Sequence, residues 1–186
     1  ALLVANGTDA LEISLQALGV SHGDLVGVPG VTFYATAEAV INMGAIPVFI
    51  DVDPLSGLLD PESLKRVIKD QKLKAIIPVH IYGLPAPMKT IESICEKENI
   101  LIVEDAAQAI GADLDNYPVG GGNNLTTFSF YPTKNISAFG DAGAILTNDD
   151  DLAEKIKSIR NHGRSENGHA LIGRNSRCDH IHASIL

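Results

Sequence analysis

The chain has 186 residues and a formal charge of −9 with no run of lysine or arginine, which argues against a nucleic-acid footprint and against an anionic membrane surface. Hydrophobic residues make up 45% and charged residues 20%, so the sequence reads as one soluble globular domain able to bury roughly 70% of its unfolded surface. The two cysteines, Cys95 and Cys178, are far apart and suggest no disulfide framework, no apolar run reaches the length of a membrane span, and the N-terminus carries no basic leader, so the expected compartment is the cytoplasm.

In chain order, Leu11, Leu15 and Leu18 fall at i, i+4 and i+7 and predict a helix over 8–18 that ends near Gly19, with Thr8 as its N-cap. "LVGVP" (25–29) reads as a strand, 34–43 as a helix ending at Gly44, and "IPVFI" (46–50) as the next strand. "DPESLKRVIKD" opens with proline and acids and carries one apolar stripe, the pattern of a helix. "KAIIPV" (74–79) predicts a strand, 87–98 a helix, and 100–104, 126–131 and 143–147 three further strands. "DDLAEKIKSIRNHG" predicts a helix capped by Asp149 or Asp150 and stopped by Gly163. Alternation of this kind, with continuously apolar strands, predicts an α/β fold of three layers: a mostly parallel sheet with helices on both faces. The opening "ALLVANGTDALEISLQAL" and the closing "HIHASIL" both lie inside elements, the second inside an unfinished helix, which predicts a piece of a longer protein.

Ligands of open α/β sheets sit beyond the carboxyl ends of the strands. After "ILIV" comes "EDAAQ", with Asp105 and Gln108; after "IIPV" comes His80; after "TTFSFY" comes "PTK", with Lys134; after "LVGVPG" comes "VTFYAT", with Phe33. The turn "NGTDA" before the first helix offers Gly7 and Thr8 beside free first-turn amides, a combination suited to phosphate. Neither nucleotide fingerprint is present. GxxxxGK[ST] does not occur, and "VGGGNN" (119–124) has glycines at the wrong spacing and no strand before it. Read singly, Lys134 is a solvated loop charge, Asp105 a helix N-cap, Phe33 core packing and Gln108 an edge amide. Taken together they are what pyridoxal phosphate requires: a lysine for its aldehyde, a carboxylate for its ring nitrogen, a helix terminus for its phosphate and an aromatic neighbour for its ring. A free lysine ionises near ~10.4 and needs desolvation or neighbouring cations to react near neutrality. His80 reads chiefly as a satisfied core histidine. His180 and His182 face apart on a helix, so a metal site with Cys178 is not expected.

The strings "NGTDAL", "TFYATAEAV", "PVFIDVDP", "IIPVHIYG", "VEDAAQAIGA", "FSFYPTKN", "GAILTND", "RNHG" and "GRNSRCDHIHASIL" resemble the DegT/DnrJ/StrS family of nucleotide-sugar aminotransferases, in order from about residue 4 to the last. The resemblance implies a fold-type I enzyme, with residues 1–186 as its pyridoxal-phosphate-binding large domain, incomplete at both ends. It implies that Lys134 joins the cofactor and then shuttles protons, that Asp105 pairs with the ring nitrogen and that Gln108 lies beside the phenolic oxygen. It further implies that Gly7, Thr8 and Ser129 surround the phosphate, that Phe33 stacks on the ring, and that Asn175 reaches the phosphate of a neighbouring subunit's cofactor in a homodimer. The implied reaction moves an amino group from glutamate or glutamine to a nucleotide-linked keto sugar. Some relatives are dehydratases with histidine in place of the lysine, and Lys134 argues for transfer; a chain without activity that serves only as a binding or structural piece is the other alternative. "VGGGNNLTT" departs from the pattern, standing where members carry a Gly-Ser-x-Gly-Asp turn.

Overall fold

The computed structural model describes residues 1–186. The elements in chain order are β1 (Leu2–Val4), α1 (Gly7–Ala17), β2 (Leu25–Pro29), α2 (Tyr34–Asn42), β3 (Ile46–Ile50), α3 (Pro61–Asp70), β4 (Ala75–Ile76), α4 (Met88–Glu98), β5 (Leu101–Asp105), β6 (Asp113–Leu114), β7 (Tyr117–Pro118), β8 (Leu125–Ser129), β9 (Gly143–Leu146), α5 (Asp150–Ile159), β10 (Arg164–Ser165), β11 (Gly168–His169) and α6 (His180–Ile185). Seven strands form one sheet in the order β1-β9-β8-β5-β4-β2-β3. The pairs β3–β2–β4–β5–β8 are parallel, and β9 runs antiparallel between β8 and β1. No helix is long and apolar enough to cross a membrane.

Strand period explains the three layers. Val26, Val28, Ala75, Ile77 and Val103 pack with Leu11 and Leu15 of α1 and Ala39 and Val40 of α2. Ile50, Ile76 and Ile102 face the opposite side, against Leu64 of α3 and Met88, Ile91 and Ile94 of α4. Successive strand residues therefore bury on opposite faces, which is why these strands read as unbroken apolar runs. Ile156 and Ile159 of α5 close the first layer over Ile145 and Leu125.

Several boundaries differ from the sequence expectation, each for a local reason. The N-cap of α1 is Asn6, whose Oδ1 accepts from Asp9 N–H at 2.7 Å, so Thr8 lies inside the first turn rather than capping it. Strand β4 is only two residues long, because Pro78 has no N–H to continue the ladder; pairing resumes as a single bridge between Val79 and Asp105. Helix α5 takes Asp149 as its cap and ends at Ile159, before Gly163, because the following chain folds back and His162 N–H donates to Arg174 O. The residues after Asp105 form turns, so Asp105 caps no helix. Strand β1 and the hairpins β6–β7 and β10–β11 had no expectation attached to them.

Candidate functional site

The parallel strands deliver their carboxyl ends to one edge of the sheet, where a cleft of about 690 Å³ opens. Gly7, Thr8, Phe33, Asp105, Gln108, Ser129 and Lys134 all line it. Asn175 does not. It bridges to Asn161 and lines a separate open hollow beside Asn42 and Arg174.

The amino end of α1 is brought in by two close approaches. A Cβ on Gly7 would sit 2.8 Å from Ser129 Cβ, and one on Gly143 would sit 2.5 Å from the Asn6 carbonyl oxygen. Only hydrogens at these positions let the first turn of α1 lie against the ends of β8 and β9. The amides of Gly7 and Thr8 have no intrahelical partner, so an anion-binding terminus opens on the cleft beside the Ser129 hydroxyl. Ser129 Oγ accepts from Tyr131 N–H at 3.3 Å, which leaves its own hydrogen to donate.

Asp105 ends β5 and is 6% exposed. Its Oδ2 accepts from Thr36 Oγ1 at 2.8 Å and its Oδ1 from Ala107 N–H at 3.1 Å. Burial pushes its carboxyl above the usual carboxylate range, while the Thr36 and Ala107 donors and the Lys134 charge pull against that. Lys134 is half-buried on the cleft wall, and its backbone N–H donates to Tyr131 O at 2.8 Å, closing the turn that follows β8. It is the one lysine among the cleft residues. Phe33 occupies the N-cap position of α2 with no capping side-chain bond and is 68% exposed, so it is not a core residue. Gln108 Oε1 accepts from Tyr82 N–H at 2.7 Å, which leaves its NH2 group to donate elsewhere. Tyr82 has a φ of 54°, a left-handed turn that brings that N–H to Gln108.

His80 is fully buried with both ring nitrogens engaged. Nδ1 accepts from Ala86 N–H at 2.9 Å, so the proton lies on Nε2, which donates to Glu104 Oε2 at 3.0 Å. Tyr117 Oη lies 3.0 Å from Glu104 Oε1 and 2.8 Å from Glu92 Oε1, and its single hydrogen serves one of them at a time, whereas the two hydrogens of Asn124 Nδ2 reach both, at 2.9 Å and 2.8 Å. Burial, with the two carboxylates adding to it, pushes the Tyr117 hydroxyl above its usual range. Asn124 ends the "VGGGNN" segment between β7 and β8. Its amide can donate to two carboxylates at once, which a third carboxylate could not. Thr36, Tyr117 and Asn124 were not singled out by the sequence, because their partners Asp105, Glu92 and Glu104 lie 13 to 69 positions away. His182 Nδ1 lies 2.8 Å from Asp179 Oδ2.

Residues 1–186 match the DegT/DnrJ/EryC1/StrS aminotransferase family. A pleiotropic regulatory protein of Geobacillus stearothermophilus is 47% identical over 97% of this chain and 49% of its own length. UDP-N-acetyl-3-dehydro-alpha-D-glucosamine 3-aminotransferase of Acidithiobacillus ferrooxidans is 45% identical over 98% of this chain and 49% of its own length. Among solved structures, S. venezuelae DesV in complex with a ketimine intermediate superposes with a TM-score of 0.95 at 40% identity, over 99% of this chain and 50% of that one. The chain thus spans about half the length of the relatives it matches.

Proposed function

The chain belongs to the DegT/DnrJ/EryC1/StrS aminotransferase family, and we propose that it is the pyridoxal-phosphate-binding large domain of an enzyme that moves an amino group from glutamate or glutamine to a nucleotide-linked keto sugar. The observation that carries this reading is the convergence on one cleft of a single lysine, Lys134, and a buried acid, Asp105, beside the free amides of α1. The residues fit the cofactor: the cleft has ligand size, the glycine at position 7 opens room at a helix terminus, and a buried carboxylate gains from a cationic ring nitrogen.

When bound, pyridoxal phosphate supplies the electron sink for carbanion character at the donor's α-carbon. Asp105 accepts from the ring nitrogen and keeps its proton there. The amides of Gly7 and Thr8, with the hydroxyls of Thr8 and Ser129, hold the phosphate. Gln108 donates its free NH2 to the phenolic oxygen, and Phe33 covers the ring. Lys134 Nζ anchors the cofactor and then takes the proton from the donor's α-carbon; a positioned base of this kind contributes about 10²–10⁴-fold. Asn175 serves the phosphate of a neighbouring subunit's cofactor in a homodimer, a role supported by its position outside its own cleft. The exposed aromatic side chains Tyr82 (84%) and Phe139 (86%) offer surface for such a partner. Two unpaired cysteines, Cys95 with its thiol pushed up to about 12 chiefly by burial, suit a cytoplasmic setting.

The test is isotopic. The cofactor-loaded protein is given 15N-glutamate or 15N-glutamine with UDP-, dTDP- or GDP-linked keto sugars, and the product sugar is weighed. Gain of one labelled nitrogen supports transfer. A deoxygenated sugar without label would assign dehydration instead, and no turnover would leave only a binding role. The same assay on mixed Lys134→Ala and Asn175→Ala chains tests the dimer. Shared sites predict recovery of activity to about a quarter of wild type, and no recovery contradicts them.

A further inference from the structure

Asp105 is reached by a relay of two hydroxyls. Thr36, in the first turn of α2, is fully buried, and its Oγ1 lies 2.8 Å from Asp105 Oδ2 and 2.7 Å from Thr32 Oγ1. Thr32 lines the cleft. The distances alone do not give a direction, but the hydrogen inventory does. A hydroxyl carries one hydrogen, and an ionised carboxylate has none to give. With Asp105 ionised, Thr36 must donate to it, and the Thr32–Thr36 contact can then be made only with the hydrogen of Thr32. With a proton on Asp105 Oδ2, the bond to Thr36 reverses, and Thr36 is free to turn its own hydrogen toward Thr32.

We propose that Thr36 is a positioning residue for Asp105, and that Thr32 and Thr36 together hold that carboxylate in its accepting form on the cleft floor. The inference deepens the reading above, on which Asp105 faces the cofactor's ring nitrogen. Thr36 is suited to the task because α2 fixes its backbone and full burial fixes its rotamer, so the donated hydrogen bond is preorganised rather than supplied by water. The donor also offsets the burial that drives Asp105 toward its protonated form. Ala107 N–H gives the second donor; the titratable neighbours are Lys134, whose charge acts on the carboxyl, and His80, which is neutral while its Nδ1 accepts from Ala86 N–H.

Valine keeps the shape of Thr36 and removes its hydrogen; serine keeps the hydrogen. In the cofactor-free protein, the carboxyl 13C resonance of Asp105 is followed against pH. Loss of a donor to the charged form must raise the midpoint, by about one pH unit in Thr36→Val, a tenfold change. Thr36→Ser should stay within about 0.3 units. Thr36→Ala, which a helix accepts readily, carries the same expectation should the valine variant not fold. A midpoint unmoved in the folded valine or alanine variant, or moved as far in Thr36→Ser, would overturn the proposal. In the cofactor-loaded enzyme Thr36→Val should lower kcat by about tenfold or more with little change in donor KM, and Thr36→Ser should restore it. A shifted midpoint in a protein that transfers no amino group would leave the relay standing and remove the functional reading alone.

Discussion

Asp105 works against the fold that holds it. A buried carboxyl whose ionisation is pushed up binds its proton more tightly in the folded chain than in the unfolded one. Folding therefore keeps its full advantage below the unfolded value near ~3.9 and loses it as pH rises through the raised folded value. The loss is tolerable because a cation is expected to face the carboxylate when the cleft is filled. An asparagine at 105 escapes it: Oδ1 can accept from Ala107, Nδ2 can donate to Thr36, and Thr36 can turn its hydrogen toward Thr32. Asp105→Asn should therefore raise the Tm of the cofactor-free protein at pH 7, by about 2–4 °C for each kcal/mol recovered. The difference should narrow as pH falls toward 4, while amino transfer is lost. A lower Tm for this variant at pH 7 would show that the charge stabilises the empty fold. Gly7 and Gly143 show the same subordination of local preference to the site, since each gives up a side chain so that α1 can meet β8 and β9.

The long elements were legible because their signals are local. Leu11 and Leu15 mark the buried stripe of α1, Asp60 with Pro61 marks the start of α3, and the left-handed Gly19 and Gly44 mark two helix ends. Strand β1 is three residues long and β10–β11 pairs only two residues a side, too short for any period to show. The cap of α1 was misplaced because asparagine and threonine at 6 and 8 are both good caps, and only the backbone decides between them. Nothing local marked Thr36 as the partner of Asp105, which lies 69 positions away. The same holds for the segment after α5. Four of the five arginines fall between 160 and 177, a pattern open to an anion-binding reading, yet three of them are structural. Arg160 donates to the Leu3 carbonyl, Arg174 to Glu12 Oε2 and Arg177 to Asn161 Oδ1, and the first two tie this segment to β1 and α1. Arg174→Ala would leave Glu12, 7% exposed, with Asn42 as its remaining partner. The expected cost is about 2 kcal/mol, a Tm lower by roughly 4–8 °C, partly recovered by adding Glu12→Gln. An unchanged Tm would mean that the pair contributes nothing to holding the segment.

At the scale of the molecule, a parallel sheet places side chains from distant parts of the chain at one edge, and topology gathers the cleft. Lys134 follows β8, Asp105 ends β5, Phe33 follows β2, and the first turn of α1 closes one side. The site was legible chiefly through family resemblance, which pointed to residues that line the cleft and did not mark the buried groups behind them. On the proposed reading, Lys134 is the residue that carries pyridoxal phosphate. Loading the purified protein with pyridoxal phosphate, reducing it with borohydride and mapping the added mass tests this most directly. Reduction should abolish the visible absorption band and leave one pyridoxyl group, on Lys134 alone of the nine lysines. Attachment at any other lysine, or none, would contradict it.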